Sequence, residues 1–292
     1  MTEDADEKSN DTIEQGSDTT LIHYMEGLSR LQKAPGQDAY AYTALDLTNK
    51  NLQGIELIKQ YQFIQILNLS QNKISDFSPL SELKYLLSVN LAENSIETIS
   101  KLCNAYLKAV DLTRNQIRKL EGFQSDTVAN LIVNENSLQS LDGIQQLTQL
   151  TTLIASNNQI SELWLHTEQQ DELPLEHLEL NSNALKNLSG IERLKHLRCL
   201  HLRENQIQDM PDVSMLRELD CLKSLDLTGN PVTQTENYRL NVIILLPNLS
   251  ILDTIPIEKD EVLKAAVFKQ EREAAEVNPA EINADQGASI TQ

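Results

Sequence analysis

The sequence predicts an α/β solenoid: a curved parallel sheet along the concave side, short 3-10 turns along the convex side, and helical caps at both ends. Three observations predict it. An eleven-residue apolar pattern with an asparagine at its ninth place recurs through most of the 292 residues. Aromatic residues are only 4% of the chain, so an extended core must be aliphatic. The segments that flank the repeats carry apolar residues at helical spacing.

The pattern L-x-x-L-x-L-x-x-N-x-L stands as LKAVDLTRNQI ending at Ile117, LRCLHLRENQI ending at Ile207 and LKSLDLTGNPV ending at Val232. These are leucine-rich repeats. Their ninth positions are Asn72, Asn94, Asn115, Asn136, Asn158, Asn183, Asn205 and Asn230, spaced 22, 21, 21, 22, 25, 22 and 25 residues apart. A weaker first copy, YTALDLTNKNL, carries Lys50 there, so nine repeats run from about Tyr42 to Leu252. Leucines at the fourth and sixth positions, such as Leu178 and Leu180, point inward from a short strand, while the third, fifth and seventh face out. The asparagine falls where the chain leaves the strand, and its amide both donates to and accepts from neighbouring backbone, which predicts a buried ladder. On the return path Ile74, Phe77, Leu80 and Leu83 recur every three residues, a spacing suited to 3-10 turns.

A terminal repeat would expose the core, so caps are expected. Leu21, Met25, Leu28 and Leu31 predict a helical cap over 21–41, stopped by Pro35-Gly36. A solenoid over 42–256 includes a second cap, in which Tyr238, Leu240, Val242, Ile243, Leu245 and Leu246 form a helix ended by Pro247 and followed by NLSILD. Residues 257–276 predict a charged helix whose contact residues are Val262, Leu263, Val267 and Phe268. It is expected to project past the cap and to become fixed against a neighbouring protein. Residues 1–20 hold seven acids and one lysine and predict a disordered acidic tail, and 277–292 predict a second disordered tail.

Composition excludes several function classes. Asp and Glu number 43 against 24 Lys and Arg, a net charge of -19, which argues against nucleic acid and anionic membranes as partners. No run approaches the ~18 apolar residues of a membrane span, and the acidic start is unlike a targeting presequence, so a cytosolic chain is expected. Cys103, Cys199 and Cys221 are scattered and suggest neither disulfides nor zinc. Nucleotide-binding, hydrolase, zinc-protease and EF-hand motifs are absent, so a non-enzymatic protein without cofactor or small-molecule substrate is expected.

The outward rows point to protein binding. The fifth positions run Asp46, Asn68, Asn90, Asp111, Ile132, Ile154, Glu179, His201 and Asp226. Ile132 and Ile154 interrupt a polar row, and adjacent strands lie about 4.8 Å apart, so the pair predicts a small dry anchor. Beside it His177, Arg198, His201 and Arg203 predict a locally positive region able to orient an acidic partner. A polar surface is the plainer reading of the two histidines, and a metal site there would need Glu179 or Cys199 as well. Trp164, in the expanded connection between Asn158 and Asn183, reads as core filling.

The 22-residue repeat class and the terminal GNPV, NYR and LPNLSILD segments resemble a family of intracellular repeat proteins that includes phosphatase regulators, acidic nuclear phosphoproteins and axonemal proteins. MEGLSRL at 25–31, AYAYTALDLTNKNL, DFSPLSELKYLL at 76–87 and GNPVTQTENYRLNVIILLPNLSILD at 229–253 are more closely similar to the leucine-rich repeat-containing protein 23 family of radial-spoke components in motile cilia and flagella. The resemblance covers about residues 22–276. It implies a structural scaffold of the ciliary or flagellar axoneme with radial-spoke or other axonemal subunits as partners. The alternative is a regulatory subunit of a protein phosphatase or another cytosolic adaptor.

Overall fold

The computed structural model describes residues 20–99, 101–102, 104–163 and 173–277. The expectations for the acidic tail, Trp164 and the segment after 277 lie outside those residues. Twelve strands form one sheet in chain order. Nine of them, β2 (Tyr40–Asp46), β3 (Ile66–Asn68), β4 (Ser88–Asn90), β5 (Ala109–Asp111), β6 (Asn130–Ile132), β7 (Thr152–Ile154), β8 (His177–Glu179), β9 (Cys199–His201) and β10 (Ser224–Asp226), are parallel, one per repeat. β1 (Leu28–Lys33) precedes them and pairs antiparallel with β2, while β11 (Ile251–Leu252) and β12 (Ile255–Pro256) close the far end as a hairpin.

The middle residue of each three-residue strand, for example Val110, Leu153 and Leu200, is buried, and the two flanking it face the concave side. On the return path Ile74, Phe77, Leu80 and Leu83 are sealed within the core, and Ser78–Glu82 forms a 3-10 turn there. Comparable turns occupy Glu56–Gln60, Ile144–Gln146, Ile191–Arg193 and Ser214–Glu218. The returns between β4 and β5 and between β5 and β6 have none among the described residues. These lie in the two 21-residue repeats, where single turns such as Phe123 N to Leu120 O at 3.1 Å take the place of a 3-10 segment.

The asparagines form a ladder along the core edge. Asn72 donates to Leu47 O at 2.8 Å and Leu69 O at 2.9 Å, and its Oδ1 accepts from Leu52 N at 2.9 Å. Asn115 donates to Leu91 O and Leu112 O and accepts from Ile96 N, each at 3.0 Å. Each amide therefore ties its own repeat to the one before it, satisfying backbone groups that no strand reaches. The residue before each ladder asparagine has a positive φ, 52 to 59° at Gln71, Glu93, Arg114, Glu135, Asn157, Ser182 and Glu204 and 78° at Gly229. That conformation disfavours side chains by about 1 kcal/mol, and the repeated backbone and amide bonds on both sides hold it.

The amino-terminal cap differs from the helical expectation over 21–41. A helix, α1 (20–27), ends at Gly27, and the chain then runs back along the first repeat as β1. A Cβ at Gly27 would lie 2.1 Å from Asp46 O, so only glycine permits this crossing. Pro35-Gly36 turns the β1–β2 hairpin instead of stopping a helix, with Ala34 N donating to Ala39 O at 2.8 Å. Tyr24, fully buried and stacked on Tyr61 at 5.4 Å, plugs the end of the core, while Leu21, Met25 and Leu31 are exposed.

At the other end α2 (Met210–Val213) and α3 (Tyr238–Leu245) lead to β11, and α4 (Lys259–Val277) follows the hairpin. The expectation that α4 projects freely is corrected, because it packs on α3. Arg239 donates to both oxygens of Glu261, at 2.6 and 2.9 Å, and also to Leu252 O and Pro256 O, each at 3.1 Å. Arg272 of α4 reaches Asn241 of α3 at 3.2 Å, and Ala265 is buried between them.

Candidate protein-binding surface

The concave face is built from the outward positions of the strands, and its chemistry changes along the sheet. Where the fifth position is Asp or Asn, that side chain caps the exit from the strand. Asp46 Oδ1 accepts from Thr48 N at 3.0 Å, Asn68 from Ser70 N at 3.1 Å, Asn90 from Ala92 N at 2.8 Å and Asp111 from Thr113 N at 2.9 Å. These are Asx turns, so the first four residues of the row are committed to the backbone. At Ile154 and His201 the same task passes to the preceding repeat: Asn134 Oδ1 accepts from Ser156 N at 2.7 Å and Asn181 Oδ1 from Arg203 N at 2.9 Å. That substitution releases the fifth position in the middle of the sheet for other side chains.

Ile132 and Ile154 use that freedom. They are direct partners in the β6–β7 register, both half-buried, and are flanked in the row by Asp111 and Glu179. The arrangement is two adjacent aliphatic side chains inside a polar ring, a geometry that excludes water from a small contact.

The predicted positive region is corrected by the pairing around it. Arg198 lies 3.4 Å from Glu176, His201 Nδ1 3.5 Å from Glu179 Oε1, and Arg203 3.2 Å from Glu204. Arg198, His201 and Arg203 therefore each stand beside a glutamate of the same surface, so the arginines are locally compensated. His177 lies opposite Thr152 on one side and Cys199 on the other, so the two histidines are not brought together as partners. Burial pushes the Cys199 thiol up, reinforced by Glu176 and Glu179 against Arg198, which keeps it a thiol instead of a nucleophilic thiolate. Among the described residues no three His, Cys, Asp or Glu side chains are grouped to hold a metal.

On α4, Val262, Leu263 and Val267 are exposed at 50, 66 and 53%, whereas Phe268 is half-buried on the docked side. The four residues expected to act together thus divide between two faces. Glu261, Ala265, Phe268 and Arg272 recur at intervals of three and four and form the docked face; Leu263 and Val267 share the opposite one.

Two features were missed in the sequence. Arg239 carries no mark in the sequence beyond its place in NYR, because a single arginine that meets two backbone carbonyls and a glutamate 13 to 22 residues away leaves no periodic trace. Phe63, Tyr85 and Tyr106 form a column of nearly parallel rings with centroids 5.9 and 6.2 Å apart. They occupy the place immediately before the first repeat position, so a repeat window one residue wider would have revealed them.

A curved parallel sheet, an asparagine ladder and 3-10 returns define a leucine-rich repeat solenoid. Residues 174–280 match the family described as Leucine-rich repeat. Human leucine-rich repeat-containing protein 23 is 29% identical over 290 residues, covering 84% of this chain and 78% of that protein. The bovine protein of the same name is 33% identical over 73 residues, 25% of this chain, and the match spans only 21% of its length. Dynein regulatory complex subunit 3 of Macaca fascicularis is 38% identical over 45 residues, 15% of this chain and 9% of that protein. Among solved structures, an internalin of Listeria monocytogenes superposes with a TM-score of 0.56 at 24% identity, covering 73% of this chain and 61% of that one. It shares the fold. No helix among the described residues is long and apolar enough to cross a membrane.

Proposed function

We propose that this chain is a non-enzymatic scaffold of the ciliary or flagellar axoneme, a radial-spoke component that joins other axonemal proteins through its concave sheet and its carboxyl-terminal helix. The observation that carries the reading is the similarity to human leucine-rich repeat-containing protein 23 across 84% of the chain, repeats and end segments together. The short likeness to a dynein regulatory complex subunit supports the same cellular setting. Ile132 and Ile154 are the concave anchor, and the paired charges of Arg198, His201 and Arg203, with the unpaired His177, form its polar rim. The exposed Val262, Leu263 and Val267 provide a second contact on α4, already held in place by α3, while Phe268 supports that helix from behind.

Purification of the full chain from cells with motile cilia tests the proposal. Recovery with radial-spoke proteins is expected, and stoichiometric recovery of a phosphatase catalytic subunit in their place would overturn it. Ile132→Glu combined with Ile154→Glu should leave circular dichroism and melting unchanged while reducing capture. Undiminished capture removes the concave anchor from the proposal.

A further inference from the structure

Along the edge of the sheet where the chain enters the strands, apolar side chains step outward one repeat at a time. Ile66 opposes Ser88 in the β3–β4 register. Leu87, just before that serine, donates its N–H to Gln65 O at 2.8 Å, and its carbonyl accepts from Lys108 N at 2.8 Å. Tyr106, two residues before Lys108, stacks on Tyr85 with ring centroids 6.2 Å apart. Ile66, Leu87 and Tyr106 are 38, 39 and 52% exposed, while their chain neighbours Leu67, Leu86 and Leu107 are sealed in the core. The three form a stripe along the edge.

Three lysines border the stripe. Lys84 precedes Tyr85, Lys108 is bonded through its backbone to Leu87, and Lys101 lines a cleft together with Ala105, the neighbour of Tyr106. All three are exposed, and among the described residues none forms an ion pair or a side-chain hydrogen bond. That sets them apart from Arg114, held between Glu93 and Glu135, and from Arg198 and Arg203. The opposing charges are Glu82, two residues before Lys84, and Asp126 in the cleft, and neither pairs with these lysines. The edge is therefore an apolar strip bordered by free cations on a chain of net charge -19.

We propose that this edge binds a short acidic segment of a partner protein, whose aliphatic side chains cover Leu87 and Tyr106 while its carboxylates meet Lys84, Lys101 and Lys108. Apolar contact supplies the affinity, and the unpaired lysines select the sign of the partner's charge. The charge of the whole chain limits the partner's length. A long polyanion, such as nucleic acid or an anionic membrane, would run past the strip onto acidic surface, whereas a short segment ends within about one screening length, ~8 Å, of the lysines. Residues 1–19 of this chain hold seven acids, but their only apolar side chains are Met1, Ala5 and Ile13, so they match the lysines better than the stripe. The assignment rests on the scaffold reading only in taking a protein as partner, and its test needs no axonemal component.

Titrating the isotopically labelled full chain with the end-capped peptide EELLEE should shift the amides of 84–88 and 105–108 saturably. The peptides EESSEE and KKLLKK should bind there several-fold more weakly. Lys84→Ser combined with Lys108→Ser, both at exposed positions, should weaken EELLEE about three- to tenfold and flatten its salt dependence, with circular dichroism unchanged. Leu87→Ser should weaken EELLEE and leave EESSEE as it was. The proposal is overturned by equal binding of EESSEE or KKLLKK, by shifts confined to other surfaces, or by variants that bind EELLEE as the parent does. Changing the seven acids of 1–19 to amides should leave the signals of 84–88 and 105–108 in place in the free chain. Movement there would make the chain's own amino-terminal segment the occupant and overturn the partner.

Discussion

The two ends of the solenoid meet the same requirement by opposite means. At the carboxyl end Arg239 gathers α3, the β11–β12 hairpin and α4 into one polar clamp, and the outermost strand is two residues long with Pro256 in it. A proline and a short strand leave little unpaired backbone for another chain to join. At the amino end one buried tyrosine does the closing, and the outermost strand β1 is six residues long. Leu31, Tyr40 and Tyr42 stand exposed on the hairpin, and Leu21, Ile22 and Met25 on α1. Both closures leave apolar side chains outside, with Val262, Leu263 and Val267 exposed on α4; what differs is whether a buried ring or a polar clamp makes the seal.

The comparison breaks most sharply at Tyr24. Tyr24→Ala should cost about 3 kcal/mol in denaturant unfolding, through loss of a fully buried ring. Tyr24→Phe should be tolerated, because the Tyr24 hydroxyl is buried without a partner. Equal losses for both would mean that the hydroxyl, not the ring, closes this end.

Next comes the contrast between an interior rung and the first one. Asn115→Ala should cost ~1–3 kcal/mol by leaving Leu91 O, Leu112 O and Ile96 N short of a partner. Lys50, whose side chain makes only a 3.8 Å ion pair with Glu26, should tolerate Ala with little change. Equal shifts in the thermal midpoint would remove the ladder from the account of stability.

The carboxyl clamp is pH-dependent in a defined direction. The Arg239 guanidinium holds the Glu261 carboxyl down at about 2, below its ordinary value of 4.5. A lowered carboxylate stabilises the docked state above its free value, and that contribution disappears as pH falls from 4.5 through about 2. Amide exchange in α4 should therefore accelerate over that interval while the central strands stay protected. Arg239→Gln should return the Glu261 titration toward 4.5 and release α4 at neutral pH; slow exchange in that variant would show that apolar packing of Ala265 and Phe268 suffices.

The smallest effect belongs to the β11–β12 turn, where Asp253 and Thr254 have φ of 52 and 66°. Thr254→Gly should raise stability by about 0.5–1 kcal/mol, since a β-branched residue is strained in a type I′ turn. An unchanged denaturation midpoint would show that the unfolded-state entropy of glycine offsets the relief.

Much of the fold was legible because each repeat buries the same side chains in the same way. The spacing of Val110 and Leu112, or of Leu200 and Leu202, determines which faces are buried, and the recurring asparagine marks where the strand ends. The concave surface was legible only in part. Ile132 and Ile154 stood out from a polar row, but the pairing of Arg198 with Glu176 depends on strands that lie side by side while their residues are 22 apart in the chain. The amino-terminal cap was misread for a local reason. Leu21, Met25, Leu28 and Leu31 fit a helix as a pattern, but the close passage of Gly27 over Asp46 turns the last two into strand.

The sequence by itself determined the repeat, the inward leucines, the ladder and the nine repeat strands, because those follow from short-range periodicity copied nine times; the three cap strands were added by tertiary structure. Tertiary structure alone decided the direction of the caps, the docking of α4 and the pairing of the concave cations with glutamates. Each of these depends on a contact made once, between residues distant in the chain, and a contact made once leaves no period to read.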